Sequence, residues 1–179
     1  AQGPKAVRES VAQALAAASK AAGLLARDTM EKEPITAKLD EDACTVCSIC
    51  VRACPFGAIE LVGAVKEGSM NFISAACQGC GACSAVCNFD AIVMPYFTDA
   101  QIFAQVDAAL AEKPEEKVVV FACNWCSYAG ADQAGIEKLQ YPSSARIIRT
   151  MCSARIAEKF VMHAFDKEAG AVLMTGCRL

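Results

Sequence analysis

At 179 residues with 55% hydrophobic content, the chain holds enough apolar material for one or two packed cores, which excludes disorder as its overall character. A formal net charge of -3, with lysines and arginines scattered, excludes a polybasic nucleic-acid surface, and no run of about 18 uninterrupted apolar residues offers a membrane span. A soluble protein, or a soluble part of an assembly with protein partners, is the default expectation.

The first predicted element is a helix over Lys5 to Leu25, opened by Gly3-Pro4. Val7, Val11, Leu15, Ala18, Ala22 and Leu25 recur at helical spacing among many further alanines, which let another backbone approach closely. Such a helix should pack on something larger than this chain provides. Lys5, Arg8, Glu9 and Lys20 interrupt it, so it reads neither as a membrane span nor as a signal peptide. A charged linker from Arg27 to Pro34 leads into a strand with Ile35, Ala37 and Leu39 alternating.

An internal repeat follows. Cys44, Cys47, Cys50 and Cys54 map onto Cys77, Cys80, Cys83 and Cys87 at an offset of 33 residues (77 minus 44), and Phe56, Ala58 and Ile59 map onto Phe89, Ala91 and Ile92. Each copy reads as a cysteine loop and short helix running into a strand, at Ile59 to Val62 and at Ile92 to Met94. Two copies make a small pseudo-symmetric domain.

Twelve cysteines would suit a disulfide scaffold in a short secreted chain, but eight of them stand in these two identical runs. Three thiolates at C-x-x-C-x-x-C surround a cubane cluster and leave one iron unligated. The remote fourth cysteine, in the two-cluster ferredoxin spacing, ligates the other cluster. Cys44, Cys47, Cys50 and Cys87 are therefore assigned to one [4Fe-4S] cluster, and Cys77, Cys80, Cys83 and Cys54 to a second. Zinc is the competing metal, but its four ligands per site explain neither the third evenly spaced cysteine nor the repeat. Pro55 follows Cys54 as the spacing usually has it, whereas Asn88 follows Cys87. Thiolates awaiting iron are best kept reduced, which points to cytoplasm.

After Pro95, Thr98 to Ala111 reads as a connecting helix, with Pro114 beyond its end. The remainder alternates: a strand at Lys117 to Ala122, a helix at Tyr128 to Leu139, a strand at Arg146 to Met151, a helix at Ala154 to Lys167 and a strand at Ala171 to Thr175. That order predicts a parallel sheet. Cys123 and Cys126 follow the first strand, Cys152 the second and Cys177 the third, and a parallel sheet brings all its carboxyl ends to one edge. Convergence on one metal site competes with scattered core cysteines and with zinc. The only histidine, His163, reads as a helix surface residue, and Trp125 either shields the third site from water or simply packs. No nucleophile and base pair, paired carboxylates or phosphate-cradling loop stands out.

These residues resemble a known arrangement. Gly3-Pro4-Lys5 and the Ala-rich helix (VRESVAQALAAASKAA) look like the last helix of the flavoprotein domain in the A subunit of heterodisulfide reductase, and the double cysteine run looks like the ferredoxin domain that follows it. CNWCSYAGAD at Cys123 to Asp132, LQYP at Leu139 to Pro142, RTMCSAR at Arg149 to Arg155 and TGC at Thr175 to Cys177 are similar to the delta subunit of methyl-viologen-reducing hydrogenase. The resemblance implies two [4Fe-4S] clusters, a [2Fe-2S] cluster at Cys123, Cys126, Cys152 and Cys177, and FAD in a preceding region, with Gly3, Pro4 and Lys5 in its vicinity. Fusions of the two also resemble the B subunit of the quinone-interacting membrane-bound oxidoreductase. Such proteins continue past the last Gly-Cys to another cysteine, so the chain reads as truncated at both ends.

The expected fold is thus an α+β two-cluster ferredoxin-like domain and then a small α/β parallel-sheet domain, preceded by an Ala-rich helix. The expected boundaries are 1–30 for that helix, 31–97 for the two-cluster domain, 98–116 for a linker helix and 117–179 for the α/β domain. The expected function is an iron–sulfur electron relay between a flavin site and a partner hydrogenase or other oxidoreductase, in a heterodisulfide-reductase-like, hydrogenase-like or quinone-interacting complex. It is expected in the cytoplasm, peripheral to a membrane only through partner subunits, without a substrate-converting site of its own. The alternative is a free-standing ferredoxin-like carrier whose α/β part is a docking module without a cluster.

Overall fold

The computed structural model describes residues 5–29 and 34–177. The chain divides into two compact units, residues 1–33 and 34–179. The first holds helix α1 (Val7–Leu25), which begins and ends close to where the apolar periodicity places it. Glu9 in its first turn accepts the Ala6 backbone N–H at 3.2 Å, satisfying one of the orphan donors of the helix start. None of its residues is buried. Gly3 and Pro4, for which the family resemblance implies a place near FAD, lie outside the described residues.

The second unit opens with the repeat, as β1 (Lys38–Leu39), α2 (Ile49–Ala53), β2 (Ile59–Val62), β3 (Ser69–Phe72), α3 (Ala82–Ala85) and β4 (Ile92–Val93). Strands β2 and β3 pair antiparallel with Ile59 opposite Phe72, and β1 and β4 pair antiparallel with Leu39 opposite Ile92. Moved by 33 residues, Leu39 becomes Phe72 and Ile59 becomes Ile92, so each pair joins one strand from either copy. The repeat extends to the backbone: φ is positive at Val46 and Gly79 (51° and 66°), at Ser48 and Gly81 (56° and 80°), and at Gly57 and Asp90 (59° and 51°). Strand β3 is not legible in the sequence because its residues alternate without apolar weight. Met70 alone among them is buried, and Ser69 and Asn71 face out.

Helix α4 (Asp99–Ala109) leads onward, with a capping box in which Thr98 Oγ1 accepts the Gln101 N–H at 3.3 Å and Gln101 Oε1 accepts the Thr98 N–H at 3.0 Å. Then come β5 (Val118–Cys123), a π-helical turn at Asn124–Tyr128 continuing into α5 (Ala129–Ile136), β6 (Ala145–Thr150), α6 (Glu158–Asp166) and β7 (Ala171–Thr175). The three strands form a parallel sheet in the order β6-β5-β7. Ile102 and Val106 of α4 and Phe160 of α6 pack with Val119, Phe121 and Ile148 of the sheet in one core. The helix expected over Ala154 to Lys167 is divided: a 3₁₀ turn at Ser153–Arg155, then extended backbone at Ala157 (φ -77°, ψ 152°), then α6. No helix among the described residues is long and apolar enough to cross a membrane.

Candidate metal centres

Two cavities mark the repeat. Cys44, Cys47, Cys50 and Cys87 line one, among Leu39, Met70 and Ile92. Cys54, Cys77, Cys80 and Cys83 line the other, among Ala58, Ile59 and Phe72. Each cavity thus collects three cysteines of one run and the fourth of the other. Strand pairing is the cause: β2 and β4 carry the chain away from Cys54 and Cys87 into pairs with the opposite copy. The loops aim backbone amides at sulfur, with Val46 N–H on Cys44 Sγ and Gly79 N–H on Cys77 Sγ at 3.5 Å each, and Ala58 N–H on Cys54 Sγ at 3.4 Å. The positive φ at Val46 and Gly79 turns those amides inward.

Burial, and then the neighbouring Cys80 and Cys77, push the Cys83 thiol up to about 12, and burial followed by Cys47 raises Cys50. Cys80 is raised by burial and then by Cys152 and Cys54. Four thiolates crowded in an apolar pocket are stable only around positive charge, which is the requirement a metal cluster meets. All-sulfur donors and inward amides fit a [4Fe-4S] group at each pocket.

At the carboxyl edge of the parallel sheet, Cys123 ends β5, Cys126 lies in the π-helical turn and Cys177 follows β7. Their three sulfurs lie within 4.8 Å of one another, and the Cys177 thiol donates to Cys126 Sγ at 3.5 Å. The hydrogen bond with Ser127 and that thiol hold Cys126 below the ordinary thiol range, while Cys177 is held above it by keeping its proton on Cys126. The structure therefore brings in Cys177, the last of the four cysteines singled out in the sequence, and leaves Cys152 outside the close group. Thr150 completes β6 buried, and Met151 then packs in the cysteine-rich core with Cys83.

Trp125, between Cys123 and Cys126, is 65% exposed and so is not packed in a core. His163 Nε2 meets Asp107 at 2.8 Å and its ring lies edge-on to Phe103 at 4.7 Å, a packing role away from the cysteines. Sequence reasoning passed over Arg155, which is 1% exposed. Its signal was available: an arginine three residues beyond Cys152 within RTMCSAR.

Residues 43–91 match the family described as 4Fe-4S dicluster domain, and residues 118–179 match methyl-viologen-reducing hydrogenase, delta subunit. The chain joins a dicluster domain to a hydrogenase delta-subunit domain. It is 47% identical over its full length to the A subunit of ferredoxin:CoB-CoM heterodisulfide reductase of Methanosarcina mazei. It is likewise 44% identical over its full length to the A subunit of ferredoxin/F(420)H(2)-dependent CoB-CoM heterodisulfide reductase of Methanosarcina acetivorans. It spans 22% of the length of each of these two relatives. The delta-subunit side is 53% identical over 68 residues, 38% of this chain and 47% of the relative, to the iron-sulfur D subunit of the F420-non-reducing hydrogenase vhc of Methanococcus voltae. By name these relatives are heterodisulfide reductase A subunits and a hydrogenase iron-sulfur subunit. The cavities described above fall to the dicluster domain, and the Cys123 edge to the delta-subunit domain.

Proposed function

We propose that this chain is the electron-relay segment of a heterodisulfide-reductase-like complex, passing electrons between a flavin held by a further part of the same protein and a partner hydrogenase or other oxidoreductase. The observation that carries it is the grouping of the cysteines along one compact unit: two four-cysteine cavities, then a sulfur-lined sheet edge. Cys44, Cys47, Cys50 and Cys87 would hold one [4Fe-4S] cluster, and Cys54, Cys77, Cys80 and Cys83 the other. Cys123, Cys126 and Cys177, with Cys152 or a cysteine elsewhere in the protein as fourth ligand, would hold a [2Fe-2S] cluster. When bound, these groups supply one-electron carriers. The chain supplies thiolates, the apolar walls that keep water away and the amides that set potential. FAD in the vicinity of Gly3, Pro4 and Lys5, a quinone-interacting partner and a cytoplasmic setting are further parts of this proposal.

Anaerobic reconstitution followed by iron, sulfide and zinc analysis tests it. About ten irons per chain, eight in the dicluster domain and two at the sheet edge, is the expected result. A colourless, iron-free protein would overturn the relay. Three sulfurs within 4.8 Å of one another also suit tetrahedral zinc. Eight irons with one zinc would therefore leave the dicluster domain as the carrier and make the sheet edge a docking module.

A further inference from the structure

A single turn separates the sheet-edge cysteines from one of the two cavities. The turn is Ser153–Arg155, closed by the Arg155 N–H on the Cys152 carbonyl at 3.0 Å. On one side it touches Gly81, the residue after Cys80: a Cβ built there would stand 3.1 Å from Cβ and Cγ of Arg155 and overlap Cδ. On the other side it touches Gly176, the residue before Cys177, where a Cβ would stand 2.5 Å from Ser153 Cβ and 2.6 Å from its Oγ. Two glycines, each adjoining a cysteine of a different site, thus let the backbone close on the same turn from opposite sides.

The turn is also bolted down. Met151, 8% exposed, packs in the dicluster core with Cys83, Met94 and Phe97. The Arg155 guanidinium donates through Nη2 to the Phe97 carbonyl at 3.3 Å and to the Asp99 carboxylate, and it lies over the Phe160 ring at 4.9 Å. Lys159 joins Asp99 to Asp90, which stands three residues after Cys87. Asp90 on the repeat side and Asp99 at the start of α4 therefore meet Lys159 and Arg155 on the sheet side, and removing either partner of the buried Arg155–Asp99 pair would leave a charge uncompensated.

We infer that Met151–Arg155 is a positioning element, with Arg155 as its bolt, that holds the sheet-edge site against the Cys54–Cys77–Cys80–Cys83 site and makes that site its electron-exchange neighbour. This rests on the reading of the cysteine groups as clusters. An electron crossing the turn oxidises one centre and reduces the other by one unit, with no bond made or broken. The Cys44–Cys47–Cys50–Cys87 site touches the turn through neither glycine and is left to exchange with other partners.

The test uses the full chain, reconstituted and titrated with dithionite. Magnetic relaxation of the sheet-edge signal should quicken when the Cys77-side centre is reduced. It should still do so in Cys47→Ser, which disables the other centre. In Arg155→Met, at unchanged iron content, that quickening should fall several-fold, and Arg155→Lys should restore part of it. Gly176→Ala, which pushes on the turn from the opposite side without touching Arg155, should weaken it as well. Quickening lost in Cys47→Ser, or unaltered in both Arg155→Met and Gly176→Ala, would overturn the inference. Native-state hydrogen exchange needs no metal at the sheet edge and so separates the positioning claim from the cluster reading. Amides of α3 and of the β7 end should open together in the parent chain and separately in Arg155→Met. Unchanged joint opening in that variant would overturn the bolt even if all clusters were present. If Arg155→Met fails to fold, the Arg155→Lys and Gly176→Ala pair decides by the same two readouts.

Discussion

Gly81 lies against the aliphatic stem of Arg155, and it does so with φ of 80°, a conformation that side chains other than glycine rarely adopt. Gly57 shares the left-handed backbone, with φ of 59°, but meets nothing within 4 Å of where a Cβ would stand. The pair separates backbone strain from crowding.

Gly57→Ala should cost about 1–2 kcal/mol, the strain of a left-handed alanine. Gly81→Ala should cost that plus about 1–3 kcal/mol of overpacking, because a guanidinium held by Phe97, Asp99 and Phe160 stops the stem from moving aside. Denaturant midpoints of the two variants measure the difference. Equal losses would show that the Arg155 stem yields.

Phe160 is fully buried, with Phe103 at 5.3 Å in edge contact and Arg155 over its face. Phe160→Ala should lose about 3–5 kcal/mol, as large aromatic truncations do. Phe165→Ala, on the same helix but 48% exposed, should lose far less. Chemical denaturation of both variants checks the contrast.

Burial pushes the Asp99 carboxyl up, but hydrogen bonds from Lys159 and Arg155 outweigh it and hold the group below its ordinary value. A carboxyl lowered by folding stabilises the native state above its unfolded pKa of about 3.9 and loses that contribution as pH falls toward the folded value. The stability advantage of the parent over Asp99→Asn should therefore be level from pH 7 down to about 5 and shrink below about 4. Acid-induced metal loss is common to both chains and drops out of the difference. An advantage independent of pH would show that Asp99 acts without its charge.

The cavity linings make the fourth cysteines cross over. Cys54→Ser should disturb the centre formed with Cys77, Cys80 and Cys83 and spare the other, and Cys87→Ser should do the reverse. Mössbauer or electron paramagnetic resonance spectra of the two variants should then complement each other. Damage to the run nearer in sequence would contradict the cavities.

Much of the arrangement was written in local pattern. The 33-residue repeat announced a pseudo-symmetric domain, and the cavities gather three cysteines of one run with the last of the other, the grouping that the two-cluster ferredoxin spacing implies. The strand and helix alternation after Pro114 announced a parallel sheet whose carboxyl edge gathers cysteines, since βαβ order leaves few other topologies. What tertiary structure alone decided was which of those cysteines meet. Cys177 closes on Cys126 while Cys152 is drawn off, because Met151 finds its burial in the core of the other domain. Strand β3 likewise exists through pairing with β2, its own sequence carrying too few apolar residues to declare it. Arg155 is the clearest case: a charged residue in a polar-looking motif is buried because Asp99, Phe97 and Phe160 converge on it from 56, 58 and 5 residues away, and only the folded chain brings a carboxylate to a buried cation.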